Sequence, residues 1–310
     1  MYNAAQADAL FFGGGATWFG LPGLAALLFA ALPSPLRATP NYSEGLGGKG
    51  MDAMKRYDGI ILAIGTLGYG LVCLAFGNFG LQWQPVPEWV PGRTPLAYLN
   101  GAVLAVAGAL LLWPAAARRT AGFLAGYILL WVLLLKLPKV LAAPLTILPW
   151  LGFAEILSLA AGALMLAALL DPTPRRAWQQ VARYGYGICP IVFGLSHFAY
   201  PDFTAGMVPA WIPAPLFWAW ATGAGHFAAG LAILSGVLSR LAATLLAAMM
   251  GCFVLLLHLP RVIAEPASHI EWTMLTVATM LAGAAWIIRA GITPRERSAA
   301  ASGEMQIQPT

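Results

Sequence analysis

Charge is what this sequence lacks most. Only 9% of its 310 residues are Asp, Glu, Lys or Arg, against 60% that are hydrophobic. A water-soluble domain carries roughly 25% charged residues, because charged side chains cover the surface that faces solvent. So few charges exclude a soluble globular enzyme, a disordered chain and a nucleic-acid-binding domain. Cysteine is scarce as well. Cys73, Cys189 and Cys252 form no CxxC pair, and each lies in an apolar run, which reads as buried, reduced packing residues. Familiar catalytic signatures are missing: there is no Walker A run, no GxSxG elbow, no HExxH and no CxxCH.

What is present is a succession of long apolar runs. A helix needs about 20 apolar residues to cross the hydrocarbon core. Eight segments qualify: 58–79, 95–114, 119–138, 149–170, 183–200, 214–235, 239–259 and 269–289. A ninth, weaker run at 9–32 contains Gly13, Gly14, Gly15 and Pro22. No basic residue precedes it and no small-residue cleavage site is clear, so it reads as an extra or half-inserted helix rather than a signal peptide. The expected fold is all-α, a polytopic transmembrane helical bundle with the lipid bilayer as its surroundings. Thirteen of the 17 basic residues fall at one set of helix ends, leaving Arg93, Lys136, Lys139 and Arg261 at the other. The positive-inside rule then places the C-terminus in the cytoplasm, with a bacterial inner membrane as the expected location.

An internal repeat is the strongest feature. Residues 131–144 read WVLLLKLPKVLAAP and residues 253–266 read FVLLLHLPRVIAEP, agreeing at nine of fourteen positions without a gap, 122 residues apart. The same offset aligns VPEWVP (86–91) with VPAWIP (208–213), Gly101 with Gly223, and Gly108 with Gly230. Each unit contains four helices, and an even number returns the chain to the same side. The repeats are therefore parallel, unlike the inverted repeats of many transporters. The expected division is an N-terminal helix and loop over 1–57, a first repeat over 58–171, a linker over 172–182, a second repeat over 183–290 and a polar tail over 291–310, with two four-helix bundles side by side. Trp89 and Trp211 suit the membrane interface as anchors, or a lid over a site between helices.

Ionisable groups inside a membrane are costly, so each one needs a reason. All four histidines, His197, His226, His258 and His269, lie in the second repeat. Ala75, Leu104 and Lys136 stand at the first-repeat positions of the first three, as if one copy had lost its chemistry. His197, His258 and His269 are expected near the outer face. His226 lies twelve residues into its helix, about 18 Å down. An imidazole there needs a packing partner on a neighbouring helix, or a metal, haem or quinone. No metal is expected. His197, His258 and His269 are the only candidates, and they lack HxxxH or HxxH spacing. Glu271 opens the last helix and can pair with Arg261 or accept a proton, and Glu155 matches it if the second copy lacks six residues. Lys136 and Lys139 are expected to snorkel to the surface. Lys139 aligns with Arg261, and both suit an anionic group.

The segments FGLSHFAYPDFTAGMVPAWIP (193–213) and ATGAGHFAAGLAIL (221–234), followed by Ser239-Arg240, resemble the DoxX-like family of small four-helix membrane proteins. Gly194, His197, Phe198, Pro201, Phe203, Pro209, Pro213, Gly223 and Gly230 fit its pattern. One position departs: His226 stands where the family carries an intramembrane Glu, and the first repeat has Leu104 there. The family includes a subunit of thiosulfate:quinone oxidoreductase and members linked to thiol-redox defence complexes. The resemblance thus implies a quinone-interacting redox protein, or a subunit working with other membrane redox subunits. His226 would be the proton or hydrogen-bond partner. His197, His258 and Glu271 would relay protons outward, and Trp211 and Arg261 would help hold the quinone. The alternatives are a non-enzymatic scaffold or assembly subunit, and a small-molecule permease.

Overall fold

A computed structural model describes residues 58–292; the apolar run at 9–32 and most of the polar tail lie outside the described residues. Among the described residues the chain forms helices α1 (Ile60–Phe76), α2 (Arg93–Leu111), α3 (Pro114–Ala142), α4 (Ile147–Leu169), α5 (Arg176–Ala199), the short α6 (Pro201–Met207), α7 (Pro215–Ser235), α8 (Ser239–Ala264) and α9 (His269–Gly291). Six of them, α2, α3, α4, α7, α8 and α9, are long and apolar enough to cross a membrane. α1 is apolar but shorter, and α5 starts earlier than residue 183 through the polar turn Arg176–Gln180. The fold is a polytopic helical bundle of an integral membrane protein.

Helix boundaries repeat at the offset seen in the sequence. α9 starts and ends 122 residues after α4. Trp150 Nε1 donates to the Pro144 carbonyl at 2.9 Å, and Trp272 Nε1 donates to the Pro266 carbonyl at the same distance. This register has no gap, so the six-residue deletion that paired Glu155 with Glu271 is wrong. Glu155 corresponds to Val277 and lies inside its helix, whereas Glu271 belongs to the first turn of α9.

The proline motif explains why α3 and α8 run past their expected ends. Proline has no N–H, and its ring collides with the carbonyl four residues earlier. Those carbonyls are Leu134 before Pro138 and Leu256 before Pro260. The helix relieves both clashes by widening into π turns at Val132–Lys136 and Phe253–His258, then resumes as α-helix to Ala142 and Ala264. Lys136 and His258 end the two π turns at equivalent places.

The bundle closes as a ring in which α1 packs on α2 and α9, α4 on α3 and α5, α7 on α5 and α8, and α8 on α9. Glycine makes the closest pairs. A Cβ at Gly230 would lie 2.8 Å from the Gly187 carbonyl oxygen and 2.9 Å from the Ile191 nitrogen, and one at Gly108 would meet the Leu67 backbone. Gly230→Ala is therefore expected to push α5 from α7 and to cost about 2 kcal/mol, within the range for overpacking. Unfolding in mixed detergent micelles measures it.

Between the repeats, Asp171 closes the turn out of α4. It accepts from the Thr173 amide (3.0 Å) and hydroxyl (2.7 Å), from Arg175 Nε (3.1 Å) and, more distantly, from Arg118 Nη1 (3.5 Å). The Thr173 bonds, with Arg175, hold its carboxyl down at about 2. Depression makes this stabilisation present above the unfolded value of 3.8 and lost as pH falls through about 2. The carboxyl carbon-13 shift of Asp171 is expected to titrate near 2, not near 4.

Cys73 and Cys189 are buried, as expected, but Cys252 is exposed on the outer surface of α8. Its face of that helix meets lipid instead of a neighbouring helix, and a small apolar thiol is as comfortable there.

Candidate functional site

Close α5–α7 packing places two histidines together. A Cβ at Gly223 would lie 2.7 Å from the His197 Cβ, so the absence of a side chain at 223 lets His197 lean across α7. The His197 and His226 rings sit with centroids 5.1 Å apart. His197 had been expected at the outer face, far above His226. Instead α5 ends short of the start of α7, and α6 with the following loop covers the remaining distance. His197 therefore packs two turns inside α7, one turn from His226.

The two imidazoles are not equivalent. His197 Nδ1 lies 2.8 Å from the Phe193 carbonyl oxygen. A carbonyl only accepts, so that nitrogen carries the proton and Nε2 is left as an acceptor in the neutral ring. His226 is 2% exposed, and its Nδ1 has no hydrogen-bond partner. Phe193 meets the His226 ring edge-on at 5.6 Å, and Phe253 lies 6.1 Å away at the start of the π turn. The result is an apolar, aromatic-walled place with one unused ring nitrogen. Leaving a buried polar atom unpaired costs about 1–3 kcal/mol, so a nitrogen kept in that state calls for an explanation.

The other expected site residues lie elsewhere. His258 is buried at the end of its π turn, with Nδ1 unpartnered. His269 stacks on Phe76 with centroids 4.4 Å apart, so it serves the contact between α9 and α1. The Glu271 amide donates to the Ser268 hydroxyl oxygen that caps α9, and the Glu271 Oε2 is buried without a partner. Arg261 acts electrostatically on both His258 and Glu271, which groups those three at the proline-loop end of α8 and α9. Among the described residues no hydrogen bond or ring contact joins this group to the His197–His226 pair, and no three His, Cys, Asp or Glu side chains converge on a point that suits a metal ion. Trp211 is 69% exposed in the loop before α7.

The first repeat is not the emptied copy that its lack of histidine suggested. Tyr69 OH donates to Gln84 Oε1 (3.0 Å), Gln84 Nε2 donates to Asn100 Oδ1 (3.0 Å), Asn100 Nδ2 donates back to Gln84 Oε1 (2.9 Å), and Tyr127 OH donates to Asn100 Oδ1 (2.8 Å). These groups come from α1, α2, α3 and the α1–α2 loop. Lys136 does not snorkel outward. It is 5% exposed and donates to the Gln82 carbonyl at 2.6 Å. The π turn aims it inward, and Gly152 gives it room: a Cβ there would lie 3.0 Å from Nζ. Glu155, one turn along α4 from Gly152, is its electrostatic partner.

Residues 179–259 match the family model described as DoxX. The matched segment covers most of α5, then α6, α7 and α8 as far as the end of the second π turn, and it contains the His197–His226 pair together with His258. It stops before Arg261, His269 and Glu271. No protein of curated function and no solved structure matches the chain.

Proposed function

We propose that the chain is a quinone-handling membrane redox protein, working as a subunit beside a partner that carries the electrons. The observation that carries the reading is the buried, unpartnered Nδ1 of His226 between Phe193, Phe253 and His197. A bound quinone supplies a planar ring with carbonyl oxygens that accept hydrogen bonds and take up protons on reduction. The residues fit that chemistry. His226 presents one nitrogen for a carbonyl or hydroxyl, two phenylalanine rings offer flat apolar walls, and His197, its tautomer fixed by Phe193, turns an acceptor nitrogen to its surroundings. At Nε2, His197 then receives or returns the proton that His226 exchanges, while its Nδ1 proton stays donated to the Phe193 carbonyl. His258, Glu271 and Arg261 form a separate polar group nearer the proline loops and serve as the exit to the surface, with water bridging the intervening distance. The orientation set by the basic residues makes that surface the outer one.

Organic extraction of protein purified in mild detergent is the test. About one quinone per chain is expected from the unaltered protein. Extracts free of quinone, from membranes rich in it, would remove the proposal.

A scaffold role is the second reading, and one observation favours it: the pair is packed among aromatic rings, as structural histidines are. Under that reading His226 substitutions change neither quinone content nor partner binding.

A further inference from the structure

The histidine pair leaves one cavity of the bundle unused. It holds about 210 Å³ between α1, α8 and α9, and Ile61, Ala247, Gly251, Val254, Thr279 and Trp286 are among the residues that line it. None of the four histidines does. Its wall is apolar and its mouth opens on the outer surface of the bundle, where the neighbouring Leu255 is exposed. In a membrane protein hydrocarbon covers that surface.

One end of this groove is polar. Trp286 Nε1 donates to Asp58 Oδ1 at 2.9 Å, and the Arg289 guanidinium lies over the Trp286 ring at 4.6 Å. Arg289 and Arg240 both act electrostatically on Asp58, so two cations face one carboxylate. Arg289 Nε is buried with no hydrogen-bond partner. An apolar groove that ends at an indole and a surplus of guanidinium charge has the order of an amphiphile: chain, interface, anion.

We propose that this groove binds an anionic phospholipid, with part of an acyl chain in the cavity and the phosphate on Arg289 and Arg240. A zwitterionic lipid fills the cavity equally well but brings its own cation to the arginines. Guanidinium also pairs with phosphate oxygens through parallel N–H groups, which a point charge does not. The lipid ties α1 of the first repeat to α8 and α9 of the second.

Native mass spectrometry of the full-length, delipidated protein tests this with phosphatidylglycerol and phosphatidylcholine of equal chains. The unaltered protein is expected to retain phosphatidylglycerol about tenfold more tightly, as two nearby arginines predict. Arg240→Glu, at an exposed position, and Arg289→Gln should each reduce that preference severalfold. Gly251→Leu should weaken both lipids while leaving the melting temperature in place, because a Cβ at 251 meets nothing within 4 Å. Glycerol phosphate, a headgroup without chains, should not compete. Equal retention of the two lipids, a preference that survives both arginine changes, or unaltered binding by Gly251→Leu would overturn the proposal. So would failure of either lipid to bind, as an occluding helix or a second copy of the chain would cause.

Discussion

Leucine at position 226 is expected to weaken quinone binding by at least about tenfold while leaving the protein as stable as before, or more stable. Both halves follow from the same atom. His226 Nδ1 has no partner within the protein, so the substitution breaks no protein hydrogen bond there. Removing an unpaired buried donor or acceptor recovers its desolvation cost, of order 1 kcal/mol. Leucine fits the site because Leu104 occupies the equivalent place in the first repeat and is 3% exposed. The bound quinone, by contrast, loses its polar contact in a medium of low dielectric. A hydrogen bond worth about 1.5 kcal/mol corresponds to about tenfold in affinity. Titration with a short-chain quinone, followed by the shift in melting temperature, reads both effects together. A destabilised variant with unchanged quinone affinity would mark His226 as a packing residue. Such opposition of stability and function is the usual mark of a binding residue.

Lys136→Met is expected to be among the most damaging single changes, at about 3 kcal/mol. It strips the donor from the Gln82 carbonyl, a charge-assisted hydrogen bond of about 1.5–3 kcal/mol, and removes the cation that acts electrostatically on Glu155. Glu155→Gln alone leaves Lys136 with its carbonyl and should cost less. The double variant Lys136→Met/Glu155→Gln removes both charges and is expected to recover much of the loss. The coupling comes from a double-mutant cycle on unfolding free energies. Additive effects would show that the two residues act independently and that Lys136 is held by Gln82 alone.

The bundle was legible in the sequence because its causes are local. Apolar length gives the helices, and the shared LLLxLP motif, with prolines 138 and 260, foreshadows the two π turns. The direction of Lys136 was not legible. A π turn rotates the following residue relative to an ordinary helix, so a lysine counted as facing outward faces Gly152 instead. The Tyr69–Gln84–Asn100–Tyr127 network escaped for a different reason. Its members are neutral, 15 to 27 residues apart along the bonded pairs, and carried by three helices and a loop. The signal available was that Gln84 and Asn100 flank the proline loop in a chain that otherwise avoids polar side chains. The depth of His197 was misjudged because helix length stood in for depth. α6 and its loop, not α5, occupy the last stretch to the outer end of α7.

Nitrogen-15 NMR of histidine-labelled protein tests the central claim most directly. Adding a short-chain quinone should move the His226 Nδ1 resonance. The His197 Nδ1 resonance should stay in place, because its proton stays on Nδ1, donated to the Phe193 carbonyl. Movement of His258 or His269 with a silent His226, or no movement of any histidine at saturating quinone, would contradict the account.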